Sequence, residues 1–214
     1  MASRPRITYG SKMSPLLTRE YDTLTYIDGE QLHRRVKVCR EESIRILVNG
    51  IELLTLTMSP AELVEFACGY LISEGLVPAI HHIERVRVKD KEVHLTIPGF
   101  DEAGEGRSWT IRTSGGKGII LESDEHRKSM PMGIRVSRRT IFSAIERLND
   151  YAVLWKETGG THCTVLFDEK GEAIVHAEDM GRHNSLDKVH RLFRQDAGRH
   201  GEQDLAGRHP HHHH

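Results

Sequence analysis

Cysteine, net charge and long apolar runs are all scarce in this chain, and each scarcity closes off a class of protein. Three cysteines occur in 214 residues, Cys39, Cys68 and Cys163, too widely separated to form a C-x-x-C pair. That argues against a disulfide-stapled secreted scaffold and predicts a reduced, cytoplasmic protein. The formal net charge is −1 with neutral histidines, so no general field draws the chain to nucleic acid or to a membrane surface. No apolar run approaches the roughly 20 residues of a membrane-spanning helix. The opening MASRPRITYG lacks the apolar segment of a secretory signal.

Histidine is abundant, with fifteen residues, but six of them fall between His200 and His214 and the chain closes on PHHHH. That run is set aside from the fold reasoning. Residues 194–214 contain one large aliphatic side chain, Leu205, and are expected to form a disordered tail.

Upstream, four regions are expected: a polar segment 1–33, a β-rich subdomain with one helix at 34–120, an α/β core at 121–193, and the tail. In SIRILVNGIELLTLTM, Asn49-Gly50 separates two alternating apolar runs, a strong hairpin signal. SPAELVEFACGYLISEG predicts a helix with Ser59 as N-cap and Glu62 closing a capping box. It should turn Leu63, Phe66, Ala67, Tyr70 and Leu71 to the core and end at Gly75. IERVRVKDKEVHLTI predicts a second hairpin at Asp90-Lys91, and SWTIRT a short strand. SRRTIFSAIERLNDY predicts a helix with Ile141, Ala144, Ile145 and Leu148 inward. Strands at 162–168 and 173–178 are expected to flank a turn at Asp168–Gly171. A last helix should begin near Asn184 or Ser185. This order predicts an α/β fold, with α+β as the variant, built on antiparallel pairs.

The segment HAEDMGRHNSLDKVH, residues 176–190, admits three readings. His176-Ala177-Glu178 matches the H-x-E of zinc deaminases, in which the His binds metal and the Glu shuttles protons. No cysteine follows Cys163, so the thiolates that complete such a site are missing and no zinc is expected. A second reading makes Glu178, Asp179, His183 and Asn184 helix-capping groups, with Arg182, Asp187 and Lys188 in surface pairs. A third makes the segment an anion seat. Gly159-Gly160 and Gly181 allow close backbone approach, and a helix start flanked by Arg182 and Lys188 suits phosphate.

The run TGGTHCTVLFDEKGEAIVHAEDMGRHNSLDKV resembles the T-G-G-x-H and A-E-D-x-G-R-H-N-x-x-D-K hallmarks of the FdhD/NarQ family, the formate dehydrogenase accessory proteins. EESIRILVNG and MSPAELVEFACGYLISEGLV resemble further family segments, and the likeness runs from about Glu41 to Val189. The resemblance implies a sulfur carrier rather than a turnover enzyme. Such a protein works between a cysteine desulfurase and the formate dehydrogenase apo-enzyme, and delivers sulfur to the molybdenum bis-guanine-dinucleotide cofactor. It also implies a cytidine-deaminase-like core without zinc, a homodimer, and guanine nucleotide as a mimic of the bound cofactor. On this reading Gly159, Gly160, His162, Asp179, Arg182, His183, Asn184 and Lys188 contact the ligand.

Two departures accompany the resemblance. The family carries its persulfide on a loop cysteine, and the matching stretch IRTSGGKGII has Ser114, Gly115 and Gly116 instead. Neither Ser nor Gly can hold a sulfane sulfur. Cys163, beside His162, is then the candidate sulfur-bearing residue, ahead of Cys39 and of Cys68 on the expected buried helix. The alternative is a cofactor- or nucleotide-binding module that has lost sulfur-carrier activity. The resemblance also implies further strands and helices after Lys188, so an open sheet edge is expected, covered by a partner.

Overall fold

The computed structural model describes residues 6–9, 17–100, 107–111, 117–121 and 134–197. Its largest sheet grows from the two hairpins that alternation predicts. β1 (Arg6–Tyr9) lies at one edge. β4 (Glu42–Val48) and β5 (Ile51–Met58) flank Asn49-Gly50, where both residues have positive φ, 51° and 88°. That turn geometry matches the twist of the paired strands. β6 (Arg85–Lys89) and β7 (Glu92–Thr96) turn at Asp90-Lys91. The order is β1-β6-β7-β4-β5. Two pairings, β1 with β6 and β4 with β7, are parallel, so the sheet is mixed rather than built on antiparallel pairs alone. Local alternation predicts each hairpin but carries no information on which edges later meet.

Ile44, Ile46 and Val48 alternate onto the buried face of β4. They pack with Val86, Val93 and Leu95 against α1 (Leu63–Ser73), whose Phe66, Ala67, Tyr70 and Leu71 are buried as the spacing predicts. Each such burial is worth about 1.5–3 kcal/mol, which makes this the stable half of the chain. The predicted cap is corrected. The helix begins at Leu63, Glu62 stands at the N-cap position with φ 54°, and no side chain caps it. Ser59 is engaged elsewhere, as described below.

Residues 1–33 were expected to be polar and weakly patterned, yet they hold most of a long hairpin. β2 (Thr18–Ile27) and β3 (Glu30–Cys39) pair around Asp28-Gly29. The turn signal was present, but Tyr21, Leu24, Tyr26 and Ile27 stay exposed on the ribbon, so no clean core-facing alternation marks it. β8 (Arg107–Ile111) and β9 (Lys117–Leu121) form a further hairpin.

The second half layers helices on a two-stranded ribbon. α2 (Arg138–Tyr151) is capped by Ser137, whose hydroxyl accepts from the Thr140 amide at 3.0 Å. The expected inward face of α2 is met only in part: Ala144 and Leu148 are half-buried, while Ile141 and Ile145 are 50% and 60% exposed. Periodicity finds the apolar stripe but not how much of it the two-stranded ribbon covers. The short α3 (Val153–Thr158) leads through Gly159-Gly160 into β10 (His162–Phe167), which pairs with β11 (Ala173–Asp179). α4 (Arg182–Ala197) starts two residues before Asn184 and continues past residue 194, the expected start of the tail. It packs closely on α1. A Cβ added to Gly69 would stand 1.9 Å from the Asp187 carbonyl oxygen, so the two helices meet backbone to backbone.

Candidate functional site

The β10–β11 register joins the two hallmark runs: His162 pairs with Asp179 and Cys163 with Glu178. Strand alternation then sends neighbouring residues to opposite faces. His162, Thr164, Ala177 and Asp179 share the face toward α4, where the Thr164 and Ser185 hydroxyls are 2.7 Å apart. Cys163, His176 and Glu178 share the face toward α2 and α3, where the Tyr151 ring meets those of Phe167 and His176.

Asp179 is the hub of the first face and is 0% exposed. Its Oδ1 accepts from the Gly181 amide at 2.9 Å and from Asn184 Nδ2 at 3.0 Å. Its Oδ2 accepts from the Ser59 amide at 3.2 Å and lies 2.8 Å from Lys188 Nζ. Lys188, also 0% exposed, donates to the Glu178 carbonyl at 3.1 Å. The Ser59 hydroxyl accepts from the Met180 amide at 3.1 Å. Asp179, Asn184 and Lys188 therefore use their polar groups inside the chain, pinning the start of α4 to the segment between β5 and α1. The buried Lys188 charge meets the carboxylates of Asp179 and, at 3.8 Å, of Glu62, and is not itself at the surface.

Five of the expected contact residues reach the surface. Gly159, Gly160, His162, Arg182 and His183 are exposed. Gly159 has φ 65° as the C-cap of α3, and a Cβ on Gly160 would stand 3.2 Å from that of Cys39. Among the described residues, no ion pair engages Arg182. Arg182 and His183 form the first turn of the 16-residue α4, at the positive end of its dipole, and His162 pairs with Asp179 three residues before it; guanidinium and imidazole groups are donors suited to phosphate oxygens.

The cysteines are poorly matched to thiolate chemistry. Cys163 is half-buried, and burial pushes its thiol up to about 11, with the Glu178 charge adding to the effect. It also lies on the opposite face of the ribbon from His162. Burial likewise takes Cys68 up to about 11, against the opposing charge of Arg191. Burial raises Cys39 as well, with a hydrogen bond from Ser59 working the other way. Ser114, Gly115 and Gly116 lie outside the described residues. Among the described residues, no group of three or more His, Cys, Asp or Glu side chains is placed to hold a metal ion. No described helix is long and apolar enough to cross a membrane.

Two residues bound to the hallmark runs are not legible as such in the sequence. Ser59 reads as an ordinary helix cap, and Glu178 as half of a broken H-x-E pair. Glu178 in fact accepts from the Leu154 and Trp155 amides, each at 2.8 Å, and from the Thr161 hydroxyl at 3.0 Å. Both residues border a cleft of about 430 Å³ that Leu17, Glu62, Leu154 and His176 also line.

A model of the FdhD/NarQ family matches residues 39–190, from the end of β3 into α4. The chain belongs to the FdhD/NarQ family. Among its relatives is "Sulfur carrier protein FdhD" of Methanothermobacter thermautotrophicus, 33% identical over 173 residues, which are 81% of this chain and 68% of that one. The protein of the same name from Shouchella clausii is 27% identical over 172 residues, 76% of this chain and 64% of the relative. "Protein FdhD" of Methanocaldococcus jannaschii is 32% identical and covers 71% and 56%. The chain thus spans roughly two thirds of these relatives' length. A crystal structure from Desulfotalea psychrophila, assigned as a formate dehydrogenase accessory protein, superposes with a TM-score of 0.67 at 20% identity. It covers 84% of this chain and 70% of the other. The FdhD/NarQ fold, with its mixed sheet and flanking helices, is therefore the fold of this chain. The family match includes the whole Asp179 network and the exposed Gly159, Gly160, His162, Arg182 and His183.

Proposed function

We propose that this chain takes part in sulfuration or insertion of the molybdenum bis-guanine-dinucleotide cofactor into formate dehydrogenase. The cofactor is its cargo, seated between the Gly159-Gly160 turn and the start of α4. The observation that carries this reading is the exposure of His162, Arg182 and His183 on a frame whose other hallmark polar groups are consumed internally. Arg182 would neutralise a phosphate, and His162 and His183 would donate to its oxygens. The names of the relatives support formate dehydrogenase as the client. A cysteine desulfurase as sulfur donor, a homodimer and a cytoplasmic setting belong to the same proposal.

One observation favours the second reading, a cofactor-binding module without sulfur transfer. Cys163 faces away from the seat, and its thiol is pushed up to about 11, which leaves little thiolate at neutral pH. Complementation tests both readings. Cells lacking their own FdhD-type protein receive the wild-type chain, Arg182→Ala or Cys163→Ser, and formate dehydrogenase activity is measured. Rescue by wild type and Cys163→Ser, lost with Arg182→Ala, is the expected pattern. No rescue by wild type, or full rescue by Arg182→Ala, contradicts the proposal.

A further inference from the structure

We infer that Glu178 is a positioning residue of the proposed seat, anchoring segment 153–161, with its Gly159-Gly160 turn, to the end of β11 that leads into α4. Its value for binding rests on the proposed cargo seat; the anchoring itself does not. α3 has six residues, too few to persist on local hydrogen bonding alone. Several of the segment's contacts are internal. Gly159 donates to the Trp155 carbonyl, Thr158 Oγ1 to the Leu154 carbonyl, and Gly160 to Thr158 Oγ1. The Lys37–Glu157 pair, at 3.0 Å, is solvent-exposed on both sides and holds weakly.

Glu178 is different because it reaches both ends at once. One carboxylate takes the first amides of α3 at Leu154 and Trp155, and also the hydroxyl of Thr161, one residue beyond the glycine turn. Hydrogen bonds to a charged acceptor are about twice as strong as neutral ones. The next residue, Asp179, points to the other face and grips Gly181 and Asn184 at the start of α4. The consecutive acids therefore hold two different segments, 153–161 and the start of α4, from opposite faces of one strand. A glutamine at 178 keeps a single acceptor oxygen and turns an NH2 group toward amides that also donate. It cannot reproduce the arrangement.

The test compares wild type, Glu178→Gln and Thr161→Val in the full chain, by amide hydrogen exchange and by titration with GDP. Glu178→Gln is expected to speed exchange at Leu154 and Trp155 at least tenfold. Exchange at Gly181 and Ser185, in the segment held by Asp179, should stay within twofold. GDP affinity should fall at least fivefold. Thr161→Val, which removes one bond of three, should lose less affinity and leave α4 unchanged, and it serves if Glu178→Gln does not fold. Unchanged exchange at Leu154 and Trp155 overturns the anchoring. Faster exchange with GDP affinity within twofold of wild type overturns the positioning role. Wild type that does not bind GDP overturns the cargo seat and the binding role with it, while the exchange rates still decide the anchoring.

Discussion

Replacing Lys188 with Met leaves the Asp179 carboxylate buried without its counter-charge. At 2.8 Å and an effective dielectric of about 20, the gross attraction of the pair is about 6 kcal/mol. Desolvation of both ions offsets part of it, and breaking such a pair from one side costs about 3–5 kcal/mol. That is a large share of the 5–15 kcal/mol typical of a folded domain. Asp179→Asn should cost somewhat less, because Lys188 keeps Glu62 at 3.8 Å, although Ser59 or Asn184 loses an acceptor. The double variant removes both charges, so its cost should fall short of the sum by about 3 kcal/mol. Urea unfolding at pH 7, followed by circular dichroism, measures all four corners of this cycle. Costs that add to within about 0.5 kcal/mol would refute the claim that these two hallmark residues form one buried pair.

The packing of α1 on α4 predicts that Gly69→Ala, whose methyl would collide with the Asp187 carbonyl oxygen, destabilises by about 3 kcal/mol, read from the same unfolding curves. Glu62 holds a left-handed conformation at φ 54°, so Glu62→Asn should gain up to about 1 kcal/mol; a loss would contradict the strain. Burial also raises the Glu62 carboxyl above its ordinary value, with Lys188 opposing. The folded state therefore binds that proton more tightly than the unfolded chain, and the group's contribution declines as pH rises through the carboxylate range. Glu62→Gln should accordingly gain on wild type from pH 4 toward neutrality. Iodoacetamide labelling of Cys163 should accelerate about tenfold per pH unit up to its value of about 11; a rate already flat at pH 8 would show an activated thiolate.

The legible part of this fold was the part governed by short-range rules. Asn49-Gly50 and Asp90-Lys91 announce their hairpins by turn chemistry and alternation, and α1 reveals its buried face by spacing. Asp28-Gly29 carried the same turn signal but lacked a dry face to support it. α2 shows the converse, a clear apolar stripe that its neighbouring ribbon covers only in part, leaving Ile141 and Ile145 exposed. At the site, the hallmark run singled out the residues but not which of them turn inward and which reach the surface. Asp179, Asn184 and Lys188 look like ligand contacts in sequence because polar residues near a helix start suit an anion. Only the crossing of Ser59 into the same space, 120 residues away, turns Asp179 inward. Glu178 was hidden for a similar reason, since its partners lie in a helix too short to announce itself.

The account stands most directly on whether the start of α4 binds a phosphorylated guanine ligand through its exposed guanidinium. Titration of the full chain with GDP, set against Arg182→Ala, measures this. Arg182 is exposed, so the variant should keep the wild-type unfolding curve while losing about 1.5–3 kcal/mol of binding, some tenfold to more than a hundredfold in affinity. Equal affinity in the two proteins, or no binding by wild type, would contradict it.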